Sequence, residues 1–230
     1  MRVTVRLFAM LRERAGSDRV EIELEEGATV ADAIAALGRD PHVGDLASRL
    51  PLRIALNREY VSNETPVAAG DELAAIPPVS GGAPAPGVTP ALGSGDRVKR
   101  ARVTAEPLDP GDLTRLVGDP GAGAVVTFQG TTRDVLKLTY EAYAEMAEPR
   151  IAAILAECVE RHGLEAAAAE HRIGDVPLGA PSVVVAVSAA HRPEAFEGAR
   201  EAIDRIKAEA PIWKKEVSVD GEEWVEGAVP

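Results

Sequence analysis

From Ala83 to Asp96 the chain reads APAPGVTPALGSGD, and nine of these fourteen positions are Ala, Pro or Gly. Such a stretch has no apolar period and little to bury, so it cannot join a packed core. Whatever folds in this chain therefore folds twice, once on each side of it. With 230 residues and 46% hydrophobic content, both sides have the material for a core. Residues 1–82 and 101–230 are expected to form separate domains, joined by a flexible linker over 83–100.

The first segment reads strand, turn, strand, helix, strand, strand. Arg2–Phe8 alternates, a helical turn follows at Leu11–Ala15, and Val20, Ile22 and Leu24 alternate again. Thr29 is placed to cap a helix, with Asp32 at its third position in a variant of the capping box. Ile54–Leu56 and Leu73–Ile76 are expected as closing strands, with a turn at Gly70-Asp71.

The second segment opens with a strand at Arg102–Ala105 and a helix begun by Asp109-Pro110. Apolar strands are expected at Gly123–Gly130 and Leu136–Tyr143. A long helix over Ala147–His162 closes at Gly163. Strands near Ala167–Ile173 and Ser182–Ala189 precede a helix over Pro193–Glu209, stopped by Pro211. Short strands at Glu216–Val219 and Glu223–Val225 finish the domain. Long helices on a mostly antiparallel sheet make the fold class α+β.

Charge and composition exclude several functions. The net charge is −12, shared as −4 over residues 1–82 and −8 over the rest, and only 3% of residues are aromatic. That balance argues against nucleic-acid binding and requires any anionic ligand to be held by a local cluster of cations. No apolar run reaches the roughly 18 residues of a membrane span, and nothing resembles a signal peptide, so a cytoplasmic protein is expected. A single cysteine, Cys158, leaves no disulfide and no thiolate metal site, and it is read as a small buried hydrophobe within an Ala/Ile/Leu helix face. Lysine is scarce, five against twenty arginines, yet Lys207, Lys214 and Lys215 fall within nine residues. Where a chain so prefers Arg, a Lys cluster marks either a task that needs a removable proton or chance grouping on a solvated face.

Two sets of motifs resemble one known family. The first segment contains Phe8-Ala9-Met10-Leu11-Arg12-Glu13 near its start and ends Ile76-Pro77-Pro78-Val79-Ser80-Gly81-Gly82. It resembles the small subunit of molybdopterin synthase, a ubiquitin-like β-grasp sulfur carrier. Two glycines after a strand make a tail without Cβ atoms, able to enter a narrow site; taken alone they read more readily as a turn opening the linker, and the domain before them reverses that preference. The second segment contains Thr127-Phe128-Gln129-Gly130-Thr131-Thr132-Arg133-Asp134, His171-Arg172-Ile173-Gly174, Ala190-His191-Arg192 and Lys207-Ala208-Glu209-Ala210-Pro211-Ile212-Trp213-Lys214-Lys215-Glu216. Over nearly all of residues 101–227 it resembles the large, catalytic subunit of the same synthase, a domain of the α/β hammerhead type.

The resemblance implies a sulfurtransferase of molybdenum cofactor biosynthesis whose substrate is cyclic pyranopterin monophosphate. Sulfur would arrive as a thiocarboxylate on Gly82, following Gly81. Lys207 and Lys214 match the family's active-site lysines, and Arg133, His191 and Arg192 match its anion-binding and catalytic positions. It also implies an adenylating enzyme of the ubiquitin-activating type, a sulfur donor and a homodimer through the C-terminal domain, with no metal or organic cofactor. Because the Gly82 carboxyl is held in a peptide bond, cleavage after Gly82 is expected before sulfur is loaded.

These residue types suit the chemistry. Arg offers paired donors to phosphate oxygens. A lysine can serve as general acid or base where neighbouring cations ease the loss of its proton, and Arg133, Arg192, Lys207 and Lys214 are expected to form such a cluster. His191-Arg192 could instead be only the start of a helix, although cations there oppose its dipole. His171-Arg172 is read as structural or as interface, Lys215 and Glu216 as solvated or paired, and Trp213 and Trp224 as packing and interface residues rather than substrate stackers. Two departures stand out: Asp134 runs directly into Val135-Leu136-Lys137-Leu138, and Gly227-Ala228 stand where some members carry an arginine. The alternative is a sulfur-carrier or interaction protein with a catalytically idle second domain.

Overall fold

Alternation between buried and exposed positions defines the first strand, β1 (Arg2–Leu7), whose Val3, Val5 and Leu7 turn inward. The computed structural model describes residues 1–79, 96–219 and 221–225, and the chain divides into two units, Met1–Val79 and Ser80–Pro230. Gly81 and Gly82 lie outside the described residues.

In the first unit β1 is followed by α1 (Ala9–Ala15), β2 (Arg19–Glu23), α2 (Val30–Leu37), α3 (Gly44–Arg49), β3 (Arg53–Leu56), β4 (Glu59–Tyr60) and β5 (Leu73–Ile76). The sheet order is β2-β1-β5-β3-β4, with β1 and β5 parallel and the other neighbours antiparallel. This is the ubiquitin-like β-grasp arrangement. Thr29 starts α2, and Asp32 accepts from both its backbone N–H and its hydroxyl, each at 2.8 Å. Those two bonds hold the Asp32 carboxyl below its usual range. Helix α3 and the two-residue β4 are additions to the sequence expectation; both are too short to give a legible period.

The second unit runs β6 (Val98–Thr104), α4 (Pro110–Leu116), β7 (Ala124–Thr131), β8 (Lys137–Ala142), α5 (Ala144–His162), β9 (Leu164–Arg172), β10 (Gly174–Pro177), β11 (Pro181–Ala189), α6 (Arg192–Glu209), β12 (Ile212–Ser218) and β13 (Gly221–Trp224). One sheet has the order β6-β9-β11-β7 and another β10-β8-β12-β13. Apart from the parallel pair β6–β9, the pairings are antiparallel. The whole is α+β.

Several boundaries differ from expectation, three of them with consequences for the site or its support. Strand β6 begins at Val98, inside the stretch assigned to the linker, because its first residues pair with Ala167 and Ala168 of β9. Helix α5 begins at Ala144, three residues before the expected Ala147, and carries Pro149 in its sixth position. Strand β12 begins at Ile212, so Trp213 and Lys214 lie on a strand.

Helices α5 and α6 cover one face of the β6–β7 sheet. Ile151, Ile154 and Leu155 of α5 and Ala202, Ile203 and Ile206 of α6 pack there against Ala167, Ala169, Val185 and Val187. Burial of each large aliphatic side chain is worth about 1.5–3 kcal/mol. The close approach of α6 is set by Gly198, where a Cβ would meet Leu164 Cδ2 at 2.8 Å. Between the helices Arg205 reaches Glu157 at 2.7 Å and Glu209 at 2.8 Å, and Arg150 also pairs with Glu209. Burial works against the Arg205 charge, but its hydrogen bonds to Glu209 and Glu157 more than offset this and raise its pKa. The last turn of α6 is thus pinned to α5. Cys158 is fully buried beside this seam, and burial pushes its thiol up to about 12, so it stays protonated.

Candidate active site

Pro211 ends α6 and turns the chain straight into β12. That corner fixes the positions of two lysines. Ile203, Ile206 and Ala210 bury the inner face of the helix end, which leaves Lys207 exposed beside it. Lys207 favours the negative end of the helix dipole, and its Nζ stands 5.8 Å from the centre of the Phe128 ring on β7. Lys214 comes from β12, where it is the register partner of Tyr140 on β8. Period two places Glu216 on the same face, and its Oε1 lies 3.1 Å from Lys214 Nζ. Among the described residues Lys207 forms no ion pair.

Both lysines line a cleft of about 450 Å³, within the usual range for small-molecule sites. Arg133 lines it too, from the loop after β7, with its side chain 87% exposed. Asp134 beside it adopts a positive φ of 60°, which bends the loop sharply ahead of Val135. Three of the expected residues therefore meet at one place.

Two others do not. His191 caps α6 and Arg192 is its first residue, both exposed, and neither lines the cleft. Lys207 is fifteen residues farther along the same helix, which at 1.5 Å per residue is about 22 Å. The expected cluster of Arg133, Arg192, Lys207 and Lys214 is therefore incomplete within a single chain, because a rigid helix keeps its two ends apart.

The inner wall carries residues that the sequence reading left without a role. His171, read as structural or interface, lines the cleft and is 6% exposed. Its Nδ1 lies 2.9 Å from the Arg172 carbonyl oxygen. A carbonyl only accepts, so Nδ1 carries the proton and Nε2 keeps its lone pair. Burial, with a contribution from the Lys207 charge, pushes the imidazole pKa down to about 4. Tyr140 stands edge-on to it, with ring centres 4.8 Å apart and planes at 69°. The Tyr140 hydroxyl donates to Ser182 Oγ at 3.2 Å, and Ser182 donates to the Gly130 carbonyl at 3.1 Å. Burial raises the phenol pKa, so the proton stays on Tyr140. One sequence signal was present: His171 shares the parity of the inward-facing Ala167 and Ala169 on β9.

Comparison with known proteins assigns the domain that holds this cleft. Residues 103–209 match the family described as MoaE protein. A molybdopterin synthase catalytic subunit from Thermoplasma volcanium is 46% identical over 125 residues, covering 52% of this chain and 91% of the relative. The chain belongs to the molybdopterin synthase catalytic-subunit family. In front of that domain, residues 5–82 match the ThiS family, so the chain joins a sulfur-carrier-type domain to a catalytic-subunit domain. The rice (Oryza sativa subsp. indica) catalytic subunit is 52% identical over 124 residues, and this chain spans 64% of its length. Molybdopterin synthase from Staphylococcus aureus has a similar structure, with TM-score 0.50 and 37% identity, covering 53% of this chain and 93% of that one.

Proposed function

We propose that this chain builds the dithiolene of molybdopterin, transferring sulfur from a thiocarboxylate on Gly82 to cyclic pyranopterin monophosphate in the cleft of the second domain. The observation that carries this reading is the convergence of Lys207, Lys214 and Arg133 on one cleft in a chain of net charge −12. A protein whose overall field repels anions concentrates cations where it binds one. Arg133 holds phosphate oxygens. Lys214, paired with Glu216, supplies a fixed charge. Lys207, without an ion pair among the described residues, is the group free to exchange a proton with the substrate.

His191 and Arg192 fit this reading if a second copy of the chain supplies them. Their distance from Lys207 within one chain supports a homodimer whose clefts are completed across a two-fold axis. An adenylating enzyme of the ubiquitin-activating type and a sulfur donor would load Gly82, after cleavage between Gly82 and Ala83 has freed its carboxyl. All of this suits a cytoplasmic protein. The synthase step itself requires no metal or organic cofactor. Single-turnover assays of Lys207→Ala and Arg133→Ala test the reading. Loss of product formation in the first and weaker substrate binding in the second are expected, whereas normal behaviour in both would place the chemistry elsewhere.

A further inference from the structure

The cleft has two chemically opposite walls. Its rim carries three cations, Arg133, Lys207 and Lys214, against the two carboxylates of Asp134 and Glu216. Its inner wall contains hydrogen-bonding groups whose polarity is fixed by their neighbours. The Gly130 carbonyl can only accept, so the Ser182 hydroxyl donates to it, and the Tyr140 hydroxyl in turn donates to Ser182. Tyr140 Oη has thereby used its only proton and can offer only lone pairs. The Arg172 carbonyl does the same to His171: it accepts the Nδ1–H bond and leaves Nε2, among the described residues, as the ring's unused polar atom. His171 is 94% buried yet borders the cleft, and the Tyr140 ring packed edge-on restricts its rotation.

We propose that His171 Nε2 and Tyr140 Oη form an acceptor pair that selects the substrate by its N–H donors, while the cationic rim holds its anionic end. This rests on the reading of the cleft as a pyranopterin site. A pterin carries adjacent donors, the ring N3–H and the 2-amino group, along one edge, which suits a wall that offers acceptors. A ligand with only acceptors there would leave all the partners unpaired, which is costly in a buried site.

The low basicity of His171 supports an acceptor role over a proton-transfer role. Near pH 7 a base with a pKa of about 4 holds a proton roughly one time in a thousand, too rarely to shuttle one efficiently. The groups around it maintain that state. Lys207 from α6 disfavours a second positive charge, and Tyr140 from β8 remains neutral. On the β6 side, Glu148 of α5 is engaged by the Val103 backbone N–H at 2.9 Å.

The test measures dissociation constants of the full chain for free pterin, by fluorescence quenching, and for inorganic phosphate, by calorimetry. His171→Gln keeps an acceptor near the position of Nε2, His171→Met removes it, and Tyr140→Phe removes Oη. The expected result is that the Gln variant binds pterin within about threefold of wild type, whereas the Met and Phe variants each weaken it about five- to tenfold. Phosphate binding should be unchanged in all three. Wild-type pterin affinity in His171→Met, or equal losses in the Gln and Met variants, would overturn the acceptor pair alone. Parallel losses of pterin and phosphate would also overturn it, by making His171 a structural support of the whole cleft. No pterin binding by the wild type would overturn both this inference and the reading beneath it.

Discussion

Arg192 and Lys207 occupy opposite ends of one eighteen-residue helix, about 22 Å apart. If both serve the same substrate, they do so from different chains. Co-expression of Lys207→Ala and Arg192→Ala chains is therefore expected to restore activity that neither variant has alone. Random pairing makes half of the dimers mixed, each with one intact site, so about a quarter of wild-type activity should return. No recovery, with mixed dimers confirmed by native mass spectrometry, would remove Arg192 from the site.

Lys207→Ala is expected to lose nearly all turnover, and Lys207→Arg should fail to restore it, because a guanidinium keeps its proton at any physiological pH. The side chain is exposed and in no ion pair among the described residues, with only the Phe128 ring beneath it, so neither change should shift stability by more than about 1 kcal/mol. An Arg variant with near-normal rate would mean that position 207 contributes charge alone.

Arg205 is the stability counterpart. It faces Glu157, Glu201 and Glu209 between α5 and α6, with only 17% of its side chain exposed. Arg205→Ala leaves buried carboxylates short of a partner and should cost about 3–5 kcal/mol. Both tryptophans, Trp213 and Trp224, lie in the second unit, so denaturant unfolding followed by tryptophan fluorescence reports on that unit alone. A loss below about 1 kcal/mol would show that the seam is held by its apolar contacts.

His171 gives the second unit a defined acid sensitivity. Its pKa is about 4 in the folded chain, against an ordinary value of 6.5. Between those two pH values the unfolded chain binds a proton at this position and the folded chain does not. Stability from this group is therefore complete above about pH 6.5 and falls as pH drops toward 4, by up to about 3 kcal/mol. Going from pH 7 to pH 4, wild type should lose that much more stability than His171→Gln by the same fluorescence measurement. Parallel pH profiles would contradict a buried neutral imidazole.

Much of this was legible because the signals were local. The two-domain division followed from a stretch that cannot bury itself, and the cap at Thr29 and the stop at Gly163 from single residues of known geometry. Lys207 and Lys214 stood out by residue type and spacing, Arg133 came only through the family resemblance, and all three line the cleft. His191 and Arg192 were grouped with them because motif reading carries no distances; the length of α6 separates them. His171 was passed over for the complementary reason. Its role depends on the Arg172 carbonyl, the Tyr140 ring and the Lys207 charge, which β-sheet pairing and the α6 corner bring together from three separate parts of the sequence. The early start of β6 was hidden because its pairing partner lies some 70 residues away.

The most direct measurement is dithiolene formation from cyclic pyranopterin monophosphate, using a thiocarboxylated 1–82 fragment and an 83–230 fragment that retains all of β6. The pair should form product and consume two thiocarboxylates per dithiolene, as its two sulfurs require, whereas full-length chain with an uncleavable linker should form none. A mixture of the two fragments that makes no dithiolene, or an uncut chain that makes it at the normal rate, would contradict the proposed synthase.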